Sequence, residues 1–322
     1  MLSLSVETSC DDTSVAIVDD SQRVCSMCTI SQVSHALYGG VVPEVASRFH
    51  EANISLCTRN ALLDANMKLS QIDLVSVTVC PGLAGPLLVG GSFAKGLSLG
   101  LNIPIVGVNH VEAHAISSII ENTHLSPPFL SLVISGGHTS VIDVMSYSEF
   151  KTYAMTRDDA VGEVLDKIAR ALGFPYPGGA TLDKIAIENG RKSSFIIPNP
   201  KFENYDFSFS GIKTWGLNVL KKISNNEIND FISSFVFGIC DYVCDTTIRI
   251  ALKLNRNKIA LGGGVASSIS LRKTFLNSCA KNNIELYTPS PRYCADNAAM
   301  IGLLGIYNFK YNKAANLDIN DF

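Results

Sequence analysis

At 322 residues the chain is long enough to bury a sizeable core and to form two lobes. Only 17% of the residues are charged, against roughly 25% in ordinary globular proteins, and the net charge is −3. A wholly basic nucleic-acid-binding domain is thereby excluded, and part of the surface is expected to face partner subunits.

In chain order, MLSLSVETSCDD has no basic start and meets an acid by Glu7, so it does not read as a signal peptide. SLSVETSCDDTSVAIVDD reads as strand, turn and strand. Asp11 sits in that turn, where it either orients a reactant and accepts a proton or simply stabilises the turn. Nine cysteines, an odd number spread through apolar segments, suit free thiols in a reducing cytoplasm. Cys25 and Cys28 form a C-x-x-C with no second pair at zinc-ribbon spacing, so they read as structural. LAGPLLVGGSFAKGLSLGLNIPIVGV is interrupted by Lys95, several glycines and Pro104, and predicts a buried helix and a strand rather than a membrane span.

NHVEAHAISSII, residues 109–120, carries apolar residues at helical spacing and places His110 and His114 on one helix face, where two imidazoles can share a metal ion. A zinc peptidase of the H-E-x-x-H type needs glutamate directly after the first histidine. Val111 holds that slot, and Glu112, two residues beyond His110, points away from the shared face, which disfavours a peptidase.

The second half repeats the first. LSLVISGGHTSVIDV, from Leu130, is again strand, turn and strand, with Thr139-Ser140-Val141 matching Thr13-Ser14-Val15. Ser135, Gly136 and Gly137 offer backbone N–H groups to a phosphate or carbonyl oxygen. A helix is predicted over 160–172, a turn over 175–179 and a second helix from about Thr181, with Asp166 near the end of the first and Asp183 in the first turn of the second. Both aspartates suit hydroxyl donors better than phosphate, which they would repel. NDFISSFVFGICDYVCDTTIRIALKL predicts a long amphipathic helix with Cys240 and Cys244 in the core. NKIALGGGVASSISLRKTFLNSCAKNNIELYTPS then repeats the strand, glycine turn, helix and strand of DLVSVTVCPGLAGPLLVGGSFAKGLSLGLNIPIVGVN, and the polar tail NKAANLDINDF is expected to fray. Two lobes of similar plan facing a cleft resemble the actin, Hsp70 and sugar-kinase superfamily. The expectation is an α/β, two-lobed actin-like fold, with one lobe at 1–126, joined by a C-terminal helix at 297–322, and the other at 127–296.

ETSCDDTSVAI, YGGVVPEVASRFH, PGLAGPLLVG, HVEAH, SGGHTS, DDAVGEVLDKIARALG, YPGG, FSFSGIKT, GGGVASS and CADNAAMIG occur in this order and closely resemble the TsaD family, formerly labelled O-sialoglycoprotein endopeptidase. The resemblance runs from about Leu2 to Gly305 and implies transfer of a threonylcarbamoyl group from threonylcarbamoyl-AMP to the N6 amine of adenosine 37 in tRNAs reading codons that begin with A. It implies one divalent metal ion per subunit, iron(II) or zinc, on His110, His114 and Asp296. It implies substrate contacts at Val133, Ile134, Ser135, Gly136 and Gly137, and at Asp166, Gly179 and Ser268. Implied partners are tRNA, a smaller actin-fold paralogue (TsaB-like), an ATPase (TsaE-like) and an adenylate-forming synthase (TsaC-like), with no membrane. Departures from the family pattern are Ser268 for Asn, Asp12 for Glu, Cys80 for Gly and Ala180 for Pro. Rival readings are an actin-fold ATPase or kinase, which predicts γ-phosphate turnover, and a non-catalytic scaffold. For tRNA, Lys213, Lys221, Lys222, Arg249, Lys253 and Arg256 are the candidate basic contacts.

Overall fold

The computed structural model describes residues 1–32 and 40–311. The tail at 312–322, and residues 38 and 39 of YGGVVPEVASRFH, lie outside the described residues. The chain divides into two units, one comprising Met1–Pro127, Met145–Phe150 and Asp296–Phe322, the other Pro128–Val144 and Lys151–Ala295.

In the first unit, β1 (Leu2–Glu7), β2 (Asp12–Asp19) and β3 (Val24–Ser31) are followed by α1 (Pro43–Asp64), β4 (Leu74–Cys80), α2 (Ala84–Leu101), β5 (Ile105–Asn109) and α3 (His110–Ile116). The sheet order is β3-β2-β1-β4-β5, with β1 antiparallel to β2 and parallel to β4. The LSLSVE of β1 shows how the sequence dictates two covered faces. Leu4 and Val6 join Val15, Ile17, Val75, Val77, Ile54 and Ala94 in one apolar cluster, while the small Ser3 and Ser5 alternate with them and are equally buried. Each large side chain so buried contributes about 1.5–3 kcal/mol.

The second unit contains β6 (Phe129–Ile134), β7 (Thr139–Ser146), β8 (Glu149–Met155), α4 (Val161–Ala171), α5 (Gly179–Asn189), α6 (Ser210–Leu220), α7 (Ile228–Lys253), β9 (Lys258–Gly262), α8 (Ile269–Lys281), β10 (Glu285–Tyr287) and α9 (Pro291–Cys294). Its sheet order is β10-β9-β6-β7-β8, with β6 antiparallel to β7 and parallel to β9, so the plan of the first sheet recurs. Thr13–Val15 and Thr139–Val141 fall on corresponding strands, β2 and β7. α7 is apolar and long enough to cross a membrane, yet most of that stretch is buried in the core of this unit, with Cys240 and Cys244 among its buried residues. Gly263 has φ +88°, and a Cβ there would lie 2.4 Å from the Ile134 carbonyl oxygen, so only glycine lets the chain leave β9 across the end of β6.

The chain then returns to the first unit as α10 (Ala298–Lys310), which packs against β1, β2, β4 and β5. A Cβ on Gly305 would stand 2.0 Å from Ser76 Oγ, so glycine on the helix and serine on the strand together permit the close approach. All nine cysteines are free, and Cys28 Sγ lies 3.6 Å from Cys57 Sγ.

Candidate metal centre and substrate-binding turns

His110 and His114 are placed by a helix that starts where β5 ends. The Asn109 side chain accepts the N–H groups of Val111 and Glu112 at 2.9 and 3.1 Å, capping α3, so His110 is its first residue and His114 lies one turn on. The imidazoles meet edge to face with centroids 4.6 Å apart. Asp296 arrives from the other end of the chain. Asn297 caps α10 by accepting the Met300 N–H, and the Ala298 N–H donates to Ser14 Oγ on β2, fixing the turn that carries Asp296. Asp296 Oδ1 then stands 3.0 Å from His114 Nε2 and 3.4 Å from His110 Nε2, with one donor atom from each residue within 4.8 Å of the others. The two histidine side chains are 4% and 1% exposed and that of Asp296 is 22%, so the site opens on the carboxylate side.

Other acids crowd this centre. The Glu7 carboxylate, at the end of β1 and fully buried, accepts from His110 Nδ1 at 3.0 Å. Burial opposes ionisation of Glu7 and Asp296, but His110 outweighs it, holding Glu7 below and Asp296 well below the ordinary carboxylate range. For His110, burial is likewise outweighed by Glu7 and Asp296, which raise its pKa well above the usual value, whereas burial lowers that of His114. Burial and the charges of Asp11, Asp296 and Glu7 push the Cys10 thiol up. Asp12 rises to about 6, through burial and then the same three acids, against a hydrogen bond from Ser31. Two imidazoles and a carboxylate converging in surplus negative charge fit a divalent cation, in place of the proton His110 otherwise holds. The Cys80 pKa is raised by burial and by the nearby charge of Glu112, the acid of HVEAH, which is not among the residues that converge with His110 and His114.

Asp11 occupies the turn between β1 and β2, which is clamped from outside: His50 Nε2 reaches the Cys10 carbonyl at 3.0 Å, and the Gln32 N–H donates to the Asp11 carbonyl. Neither Glu7 nor His50 stood out in the sequence as a candidate site residue. The available signals were an acid closing an apolar strand and a histidine within a helix.

In the second unit the turn between β6 and β7 is built from backbone. The Ser135 N–H donates to the His138 carbonyl at 2.8 Å, and the His138 N–H to Ser135 Oγ at 3.1 Å. This corrects one expectation: the Ser135 N–H closes the turn and is not offered outward, whereas Gly136 and Gly137 are exposed. Val133 and Ile134 are fully buried strand residues that position the turn.

The two aspartates act first as helix caps. Asp166 Oδ1 accepts the N–H groups of Gly178 and Gly179 at 2.8 and 3.0 Å, starting α5 at Gly179 rather than near Thr181. Asp183 therefore lies past the first turn, and caps the distant α8 instead, accepting from the Ile269 and Ser270 N–H groups and from Ser268 Oγ. Ser268 in turn accepts the Leu271 N–H of α8. Asp166 Oδ2 is left without a hydrogen-bond partner among the described residues, and burial raises the Asp166 pKa against its two glycine hydrogen bonds.

Of the basic candidates, Lys213 is paired with Asp159 and Arg256 forms a two-pronged pair with Asp143, so neither is free to meet phosphate without breaking a partly buried ion pair. Arg249 lies over the Tyr205 ring, and Lys253 over Tyr153 and Tyr205. Lys221 and Lys222 are exposed.

Residues 23–303 match the family model described as TsaD: tRNA N6-adenosine threonylcarbamoyltransferase. The chain is 45% identical over 324 residues to the tRNA N6-adenosine threonylcarbamoyltransferase of Clostridium botulinum (strain Kyoto / Type A2), covering 98% of this chain and 95% of that one. Among solved structures, HypF of T. kodakarensis aligns with a TM-score of 0.67 at 14% identity, covering 98% of this chain and 48% of that chain. Component A of the (R)-2-hydroxyglutaryl-CoA dehydratase of Acidaminococcus fermentans aligns at 0.59 and 16% identity, covering 98% and 100%. At such identities the likeness is one of fold, and the fold is the actin-like α/β one. The chain itself belongs to the TsaD family of tRNA N6-adenosine threonylcarbamoyltransferases.

Proposed function

We propose that the protein transfers threonylcarbamoyl from threonylcarbamoyl-AMP to the N6 amine of adenosine 37 in tRNAs reading codons that begin with A, using one iron(II) or zinc ion on His110, His114 and Asp296. The observation that carries this reading is the convergence of the two Nε2 atoms and Asp296 Oδ1 at the more open side of a buried acidic site. When bound, such an ion supplies Lewis-acid polarisation. The remaining work falls to the chain. Gly136 and Gly137 direct N–H groups at the phosphate or the carbonyl oxygen, Asp166 Oδ2 accepts from a ribose or threonyl hydroxyl, and Val133, Ile134 and Gly179 hold these turns in place. Asp183 and Ser268, hydrogen-bonded to each other, also contact the substrate in this reading. The N6–carbamoyl bond forms as the bond from the carbamoyl carbon to the adenylate oxygen breaks; the N6 proton passes to the Asp11 carboxylate, and AMP leaves.

In this reading 1–126 with the C-terminal helix, and 127–296, are the two family lobes, and the protein works in the cytoplasm with a TsaB-like paralogue, a TsaE-like ATPase and a TsaC-like synthase. Leu56 and Leu63 on α1 and Leu88 and Leu99 on α2 are 42–83% exposed, which supports a partner-facing surface on the first unit. With Lys213 and Arg256 committed to ion pairs, tRNA binding by the chain alone is weak and salt-sensitive. The test is to incubate the protein with threonylcarbamoyl-AMP and unmodified tRNA, with and without the partners. Modified adenosine and AMP should appear in equal amounts. Turnover of ATP γ-phosphate by the isolated chain, without modified tRNA under any combination, overturns the reading.

A further inference from the structure

We propose that Glu7 is a positioning residue of the metal centre: it fixes the hydrogen of His110 on Nδ1, so that Nε2 presents its lone pair beside Asp296 Oδ1. This rests on the metal reading of His110, His114 and Asp296. Glu7 has no exposed surface, and burying a carboxylate costs several kcal/mol unless its charge and lone pairs are satisfied. Here two donors independent of the imidazole meet it: Oε1 accepts the Ser9 N–H at 2.5 Å and Oε2 the Thr78 hydroxyl at 2.5 Å, with His110 Nδ1 3.0 Å from the same Oε2. An ionised carboxylate can only accept, so the imidazole nitrogen facing it carries hydrogen, and in the neutral ring the other nitrogen then has the free lone pair.

Strand register explains why this carboxylate is in reach. β1 runs parallel to β4 with Val6 opposite Val77, which sets Glu7 beside Thr78, and β5, next to β4, delivers His110 at its end. Ser9 Oγ, 3.2 Å from the same Nδ1, reinforces the clamp. His114 has no such support: its Nδ1 is buried without a hydrogen-bond partner among the described residues. The orientation of the pair therefore depends on His110, and through it on Glu7.

Glu7→Gln retains the size but sets an NH₂ donor among three donors. The Thr78 hydroxyl can turn and accept, but His110 must lose its bond or move its hydrogen to Nε2, where it blocks the metal. Metal affinity of the stripped protein for zinc(II) and iron(II), measured by chelator competition, should fall about 10–100-fold in Glu7→Gln. In a His110→Ala background the same change should have little further effect, because the two residues act through one contact. Thr78→Val, which keeps the carboxylate but removes one of its anchors, should weaken binding several-fold and carries the test if Glu7→Gln does not fold. Wild-type affinity in Glu7→Gln, equal losses with and without His110, or wild-type affinity in a Thr78→Val protein that must stand in for an unfolded Glu7→Gln, each overturn the assignment. A wild-type protein that takes up neither ion overturns the metal reading and this assignment with it.

Discussion

The hairpin turns at residues 8–13 and 135–138 join corresponding strands of two sheets with the same order, yet they solve opposite problems. The first gathers negative charge: Asp11 and Asp12 lie in or beside it, Glu7 before it, and Asp296 contributes to the electrostatics of Cys10 and Asp12. It is held from outside by His50 and Gln32. The second carries no acid, closes on its own backbone through Ser135 and His138, and leaves two exposed glycines. A repeated backbone plan thus gathers acids around one copy of the turn and leaves bare glycine backbone exposed in the other.

The widest separation between the two regions should appear in metal uptake. His110→Ala, His114→Ala and Asp296→Ala should each lower affinity by more than the roughly 100-fold that loss of an orienting partner costs, with the fold intact. Elemental analysis of the purified variants checks this, and stoichiometric metal in all three would break the comparison. Changes at Asp166 or Ser268 should leave metal content alone.

Next in size is a pH effect confined to the first turn. Asp12, raised to about 6, binds its proton more tightly in the folded protein than in the unfolded chain, where a carboxyl titrates near about 3.9. Its stabilising contribution is complete below the unfolded value and is lost as pH rises through about 6. Relative to Asp12→Asn, the wild-type metal-free protein should lose about 1–3 kcal/mol between about pH 4 and pH 7. Denaturant titrations at several pH values read this directly, and a stability difference that does not vary with pH defeats it.

The smallest effects belong to the second region, where aspartate and serine cap helices. Asp166→Ala removes the acceptor for Gly178 and Gly179 and should cost about 1–2 kcal/mol, while Asp166→Asn, which keeps an acceptor, should cost less. Ser268→Ala should cost about 1 kcal/mol through the lost Leu271 and Asp183 bonds, and Ser268→Asn no more than about that. Titration with a non-hydrolysable adenylate analogue separates capping from ligand contact. If Asp166→Asn and Asp166→Ala bind the analogue alike at equal foldedness, Oδ2 does not touch it.

Much of this was legible in the chain, because local chemistry and periodicity coincide there. The β-turn-β repeats, α4, α7 and the shared face of His110 and His114 follow from patterning and spacing. What was not legible depends on long-range pairing. The start of α5 moves to Gly179 because Asp166, on another helix, supplies the cap. Arg256 reads as a free surface cation until Asp143, distant in sequence, meets it. Glu7 reads as one acid after a strand, and only the register of β1 on β4 and the path of β5 bring it to Thr78 and His110. Asp296 entered through family resemblance alone, since nothing local distinguishes it from other acids.

His114 and Asp296 are 182 residues apart in sequence, and everything between Pro128 and Ala295, apart from Met145–Phe150, belongs to the other unit. On a ribosome adding about 5–20 residues per second, the histidines emerge some 10–40 s before the carboxylate that joins them. During that interval the first sheet lacks α10, which later covers it, and the metal site lacks its third donor. On the proposed metal reading, capture of an ion by all three ligands is thereby tied to late synthesis: a chain that ends before Asp296 cannot assemble the centre.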